Sequence, residues 1–258
     1  HTFGTYVLFA NYCLASRAPD ASELFSEGLH HSASRIEIGD LQFGSETAHK
    51  VSLTLQQRGE NFEFTLMPYS NTIDNYMLIE PTGIRQTIRG NFQVWEYRQT
   101  KAQIFGVDID GSFSLFDNVS FKHQFSLIKG YDISKNQPLI NMPSASTNNS
   151  LVYTNLKYHN LKVSLESNYV FAQNEFPDNN FEVVFPEGTQ TVDISTPPPS
   201  YHLLNFKANV SLLQGLDIGV YVNNMLNTSY RNYLNRLRYY ADDVGRNITL
   251  QLKYNYES

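Results

Sequence analysis

The sequence predicts an all-β chain, a transmembrane antiparallel β-barrel wall of about ten strands. Three observations carry that prediction. Apolar residues recur at every second position in segment after segment, the period of a strand with one apolar face. The connections alternate between tight turns and long loops, as they do in outer-membrane barrels. The composition pairs 14% aromatic residues with only 17% charged ones, and Tyr and Phe stand at 17 each beside a single Trp. Amphipathic rings in that abundance suit a membrane boundary. Mean hydropathy is nevertheless −0.37, because strands with one polar face average out. No apolar run reaches the length of about 18 residues that a transmembrane helix needs.

The elements follow in chain order. Val51, Leu53 and Leu55 alternate with Ser52, Thr54 and Gln56. Phe105, Val107, Ile109, Phe113 and Leu115 oppose Asp108, Asp110, Ser112 and Ser114. Leu161, Val163 and Leu165 face away from Lys162, Ser164 and Glu166, and Phe206, Ala208, Val210 and Leu212 alternate with Asn205, Lys207, Asn209 and Ser211. Leu216, Ile218, Val220 and Val222 form the next set, and Ile248, Leu250, Leu252, Tyr254 and Tyr256 the last. Tight turns fall at Gly59-Glu60, Asp117-Asn118, His159-Asn160 and Gln214-Gly215. Long connections cover residues 16–45, about 72–90, about 132–145, 173–200 and 224–243. Splitting residues 91–116 at Gln99-Thr100 breaks the alternation of short and long connections. That stretch therefore reads as one long strand with an irregularity there, which sets the count at about ten. The polar faces carry Ser, Thr, Asn, Gln, Lys and Asp, too polar for the interior of a soluble β-sandwich.

Several function classes recede at once. A net charge of −6 argues against nucleic acid, whose phosphates select basic patches. Cys13 is the only cysteine, so no internal disulfide is possible. The chain opens at His1 without a leader pattern, which reads as a piece of something longer. Asn118, Asn209 and Asn247 match a glycosylation pattern by chance, two of them inside strands. Thr196 to Ser200, "TPPPS", is a stiff extended brace before a strand. A G-x-S-x-G nucleophile elbow is absent, and no enzyme activity is expected.

The motifs themselves resemble a family. "SRAPDASELFSEGLHHSASRIEIGD" followed by "LQFGSETA" resembles the mid-barrel signature of TonB-dependent outer-membrane receptors, in which an Arg-Ala-Pro box opens an extracellular loop and an acidic box starts the next strand. "YSNTIDNYM", "TKAQIFGVDIDGSFSL", "VNNMLNTSYRNYLN" and "GRNITLQLKYNY" are similar to later family segments, in consistent order over nearly the whole chain. The resemblance implies that residues 1–258 are the C-terminal part of a 22-stranded barrel in the cell outer membrane, with the N-terminal plug and earlier strands outside this chain. It implies a receptor for TonB-dependent active uptake of a scarce solute. Its partners would be the rest of the receptor, the TonB complex reached through the plug, and outer-membrane lipid. The solute could be a metal ion or metal complex; the alternatives are a passive porin or adhesin barrel, or a haem, siderophore or organic-solute receptor of the same family. Ten strands with two bare edges require a further segment to complete the wall. Two departures matter: "SRAP" lacks an aromatic before the Arg, and "GDLQFGSE" replaces the Asn-Pro-Asn-Leu box of haem receptors, which weakens a haem assignment.

Candidate residues follow from the first loop. His30 and His31, with Glu23 and Glu27 upstream, could capture a metal ion, since imidazole and carboxylate suit Zn²⁺ or a similar ion. The loop is similar to that of zinc-importing family members. Adjacent histidines rarely both face one ion, so one ligand and one bystander are expected. Haem with an axial His and an ordinary polar loop stay open as readings, and no resident cofactor is expected beyond zinc, another metal or haem as cargo. Under the resemblance Arg17, Pro19, Glu37, Glu46 and Asn71 are structural boxes that fix loop and lumen geometry. Lys207, Lys253 and Asp108 face the lumen and would pair with the plug.

Overall fold

The computed structural model describes residues 2–3, 5–185, 188–213 and 215–254. The expected turn residue Gln214 and the last alternating residues, Asn255 and Tyr256, lie outside the described residues. In chain order, β1 (Thr2–Phe3) folds back on β2 (Tyr6–Arg17). A short helix α1 (Ala21–Phe25), β3 (Glu27–His30), a 3₁₀ turn and β4 (Arg35–Ile38) lead to β5 (Glu46–Arg58). Two very long strands follow, β6 (Phe62–Thr87) and β7 (Gly90–Phe116), then β8 (Val119–Asp132), β9 (Gln137–Pro138), β10 (Ser146–Asn155) and β11 (Leu161–Val170). The chain continues through β12 (Phe181–Phe185), β13 (Gly188–Val192), β14 (Tyr201–Leu213), β15 (Leu216–Asn223) and β16 (Asn247–Tyr254).

Setting aside the short strands, ten strands join in chain order: β2, β5, β6, β7, β8, β10, β11, β14, β15 and β16. Each pairs antiparallel with its neighbours, and β2 and β16 lie at opposite ends of the order, so the sheet is open. Register explains how one sheet serves two solvents. Phe62, Phe113, Phe121, Leu151, Leu165, Phe206, Val222 and Ile248 are successive cross-strand partners in one row. One residue along, Glu63, Ser112, Lys122, Ser150, Glu166 and Asn205 form a polar row on the opposite face. Tyr12 and Ile248 are 61% and 68% exposed, as an apolar face must be when lipid rather than a second sheet covers it. Tyr12 carries its hydroxyl to His49 Nδ1 at 2.9 Å on that face.

The region 72–90 corrects an expectation. It is not a loop: β6 and β7 stay paired from Phe62↔Phe113 to Thr87↔Gly90. At about 3.3 Å per residue the 26 residues of β6 span roughly 85 Å, whereas about 9–11 residues cross the hydrocarbon. The upper half of the hairpin therefore stands clear of the bilayer. Its two-residue turn is fixed by Thr87, whose Oγ1 donates to Gly90 O at 3.0 Å and accepts from Arg89 N at 3.1 Å, and by Gly90 at φ 119°. The irregularity expected near Gln99-Thr100 is present, but the extra residue sits on the partner strand. Register shifts between Ile73 and Tyr76, opposite Ala102 and Thr100. Asn75, at φ 57°, occupies this bulge, where a left-handed residue bends the strand and re-aims its neighbours.

A small core cluster marks the rim. Ile73, Leu78, Ala102, Leu139 and Met142 pack together where the hairpin leaves the wall. Gly130 makes room for it: a Cβ there would lie 2.7 Å from Met142 Sδ and 2.8 Å from Leu139 Cδ1. The segment after β8 is thereby folded onto the wall, with Leu139 N donating to Gly130 O at 2.8 Å.

Candidate functional site

The long-loop end of the sheet is built as a crown of interlocked segments. The first long connection, residues 16–45, is itself folded into α1, β3, a 3₁₀ turn and β4. Asp20 N donates to Glu23 Oε2 at 2.7 Å, which starts α1 by satisfying one of its first free amides. Arg17, at the end of β2, makes a two-pronged bond to the same carboxylate, Nη1 to Oε2 at 2.9 Å and Nη2 to Oε1 at 3.0 Å. Its Nη2 also reaches Glu46 Oε2 at 3.2 Å, and that oxygen accepts Met77 N at 3.1 Å. The entry of the loop, its exit and the base of the tall hairpin thus share one charge-assisted network. The hydrogen bond from Arg17 holds the Glu23 carboxyl below the usual glutamate range. Gly39 closes the loop: its amide donates to Ser26 O at 2.7 Å, and a Cβ there would lie 2.6 Å from Glu23 O.

Next, β4 lays itself parallel on β7, with Arg35 opposite Gln93 and Glu37 opposite Trp95. Arg35 bonds Glu37 at 2.8 Å and covers the Trp95 ring at 4.3 Å, a buried cation held by a carboxylate and an aromatic face. Further along the hairpin, Arg98 ties two carboxylates at 2.6 Å each, Glu80 and Asp132. Thr100 Oγ1 donates to Asp132 at 2.5 Å, and Lys135 Nζ reaches Glu80 at 2.6 Å. Asp132 is 0% exposed. Burial alone would raise its pKa, but the hydrogen bonds from Thr100 and Arg98 prevail and hold it below the usual range. Glu80 is likewise lowered: burial opposes, and Arg98 and Lys135 overcome it.

The last loop completes the crown. Tyr239 Oη donates to Ile194 O at 3.1 Å, Asn232 Nδ2 donates to Tyr201 Oη at 3.1 Å, and the Tyr233 hydroxyl meets the backbone of Asn141. Segments 132–145, 173–200 and 224–243 are therefore in mutual contact. A cavity of about 520 Å³ lies between the last two, bordered by Pro197, Tyr230, Arg231, Arg238, Tyr239 and Asp242 among others.

The metal-capture expectation fares differently. Glu23 is committed to Arg17 and the Asp20 amide. His30 Nδ1 has Ser32 Oγ at 3.2 Å, and His31 Nε2 has Arg89 Nη1 at 3.4 Å at the tip of the tall hairpin. Glu27 is exposed on β3. Among the described residues no three of His, Cys, Asp and Glu converge on one point, so His30, His31, Glu23 and Glu27 are not brought together. Of the expected box residues, Arg17 and Glu46 share a network, whereas Glu37 pairs with Arg35 and Pro19 directly precedes the helix cap. Asn71 is half-buried, with its buried Oδ1 unpartnered. Two of the three lumen charges expected to await a plug have partners within the wall: Lys207 with Glu166 at 2.8 Å, and Asp108 with Ser126 at 2.6 Å.

The model of the TonB dependent receptor-like β-barrel matches residues 3–225. The chain belongs to that family. Solved structures with this fold include the copper transporter OprC (TM-score 0.75, 15% identity, 97% of this chain and 37% of that one). The siderophore receptor PirA from Acinetobacter baumannii gives TM-score 0.68 at 16% identity, with 98% of this chain and 39% of that one. The FrpB iron transporter from Neisseria meningitidis gives 0.63 at 16%, with 98% and 37%. The chain thus spans less than two fifths of these three proteins. Members of this family are receptors and transporters rather than enzymes.

What sequence reasoning missed are the charges that shape the crown: Arg35, Glu80, Arg98, Asp132 and Arg238. Arg98 and Asp132 lie 34 residues apart, so no local pattern announces that pair, while Arg35 and Arg238 have partners within five residues whose burial only the fold reveals.

Proposed function

We propose that the chain is the C-terminal part of an outer-membrane receptor that imports a scarce solute under TonB control. Its ten strands would be completed to a 22-stranded barrel by preceding strands that join the edges at β2 and β16. An N-terminal plug would fill the polar lumen and carry the contact with TonB. One observation supports this reading above the others: the long loops fold on one another into a crown over a wall with a polar inner face. A passive pore gains nothing from such a crown, whereas a receptor needs a shaped outer surface that holds cargo until the plug moves.

The cargo we favour is a metal complex rather than a bare ion. Relatives in fold are named for copper, iron and siderophores. Binding the complex rather than the ion needs cavity walls and hydrogen bonds, which the crown has, and no convergent ligand set. The test is growth of cells with and without the receptor on a panel of metal chelates, in the presence and absence of TonB. An advantage on at least one chelate that disappears without TonB is expected. An advantage that persists without TonB would sink the active-transport reading, and one confined to simple metal salts would sink the complex.

A further inference from the structure

The crown cavity contains a cation whose partners are all neutral. Arg238 is 6% exposed. Its Nη1 donates to Tyr233 O at 2.6 Å and its Nη2 to Tyr239 Oη at 2.5 Å. The guanidinium is sandwiched by the Tyr233 and Tyr239 rings, 4.6 and 4.5 Å from their centroids, and its Nε has no hydrogen-bond partner. No ion pair reaches it among the described residues. The other charges around the cavity are already matched. Arg231 Nε holds Asp242 at 2.6 Å, assisted by Ser229 at 2.5 Å. Asp193 accepts the amides of Ser195 at 3.2 Å and Thr196 at 2.9 Å. Both carboxyls are held below the usual aspartate range, Asp242 by Ser229 and then Arg231, Asp193 by Thr196. Arg231 and Asp242 neutralise each other and the exposed Asp193 is held by amides, whereas Arg238, the buried one of the four, is compensated by dipoles and π faces alone.

A desolvated cation without an anion is costly, and an anion beside it recovers that cost. Guanidinium is suited to carboxylate in particular, because its fork matches two oxygens. The uncharged lining is Thr196, Ser229 and a set of proline and tyrosine rings. Pro197, Pro198, Pro199, Tyr230 and Tyr239 supply those rings. Proline and tyrosine faces accept a flat organic group at little entropic cost, whereas a small inorganic anion would leave them unused. We propose that this cavity binds the carboxylate of an organic acid, with Arg238 as the charge anchor and the proline and tyrosine faces holding its planar portion. The proposal rests on the receptor reading and names the chemistry of one part of the cargo.

The experiment uses the full-length receptor, purified in detergent, with benzoate, benzamide and inorganic phosphate as probes, read by ligand-observed NMR titration. Benzoate should bind saturably and at least tenfold more tightly than benzamide or phosphate. Arg238→Gln should weaken benzoate at least tenfold and leave benzamide unchanged. Arg238→Lys, which keeps the charge but loses the fork, should fall between them. A circular dichroism spectrum and heat-modifiable gel migration equal to wild type identify variants whose barrel is intact. Pro198→Trp, in the cavity lining but not among the Arg238 hydrogen-bond partners, supplies a second route by filling the cavity and blocking benzoate. No saturable benzoate binding to the wild type overturns the proposal, as does equal binding of benzoate and benzamide, of phosphate and benzoate, or of benzoate to wild type and both cavity variants. Loss of TonB dependence in the growth assay, with benzoate binding intact, would instead overturn the transport reading alone.

Discussion

Replacing Arg98 by Met tests the claim that buried charges, rather than an apolar core, keep the tall hairpin folded above the membrane. The side chain joins Glu80 and Asp132 at 2.6 Å each. Methionine preserves most of the volume but leaves Asp132, fully buried, with only the Thr100 hydroxyl and the Lys135 amide. Glu80 keeps Lys135. Removing one partner of a buried pair costs about 3–5 kcal/mol, and the surviving bonds place this case at the lower end, about 3 kcal/mol. A local opening made easier by about 3 kcal/mol raises the open population roughly 160-fold. Hydrogen exchange read by mass spectrometry is the assay, comparing amides of residues 76–98 and 128–139 with those of β10 and β11. The first group should exchange about two orders of magnitude faster and the second group unchanged. Acceleration of less than about fivefold in the hairpin would refute the reasoning, since the network would then be ornamental.

Three further outcomes follow from the same geometry. Gly39→Ala should open the first loop, because the new Cβ would lie 2.6 Å from Glu23 O; overpacking of this kind costs about 1–3 kcal/mol, and new proteolytic cleavage within residues 20–40 on intact cells checks it. Lowering pH should loosen the crown. Glu23, Glu80 and Asp132 all have folded-state pKa values below their ordinary ones, so their stabilisation is complete above the ordinary carboxylate range and is lost as pH falls through the folded values. Hairpin exchange should therefore be flat from neutral pH down to about 5 and rise below about 4, after correction for intrinsic rates; a rise beginning near pH 6 would point to histidine instead. Calorimetric titration of the complete receptor with zinc should give the same result for wild type and the His30→Ala/His31→Ala variant; tight binding lost in the variant would make the first loop a metal trap after all.

The wall was legible because lipid and water impose a strict period on it. Leu161, Val163 and Leu165 can be assigned to one face from sequence alone, since each stands on the side opposite Lys162, Ser164 and Glu166 and the bilayer admits no exception in long runs. The hairpin above the rim obeys no such rule. Met77, Leu78, Glu80 and Pro81 are all buried, because loops cover one face and neighbouring strands the other. Period 2 vanishes there, and Asp74-Asn75, Pro81 and Gly83 read as a loop. The first loop fails for another reason. Its order comes from Arg17, Glu23 and Glu46, which are separated by 6 and 29 residues, and from a parallel pairing of β4 to a strand some 58 residues away in sequence. The family boxes marked Arg17 and Glu46 without saying what they hold.

This division has a functional logic. A β-barrel wall is specified by a solvent boundary, so its sequence can drift as long as alternation holds, and about 15% identity still yields a TM-score of 0.75 with a solved receptor. The crown is specified by particular pairs, each of which fails if one member changes. Arg35 with Glu37 and Trp95, Arg98 with Glu80 and Asp132, and Arg17 with Glu23 and Glu46 all fasten loops to the tall hairpin or to one another. Arg238 uses the same residue type and the same aromatic embrace but has neutral partners alone. Arg35, the other buried guanidinium among the described residues, is closed by a carboxylate from the chain, and Arg238 is the position at which a carboxylate from outside would complete the same arrangement.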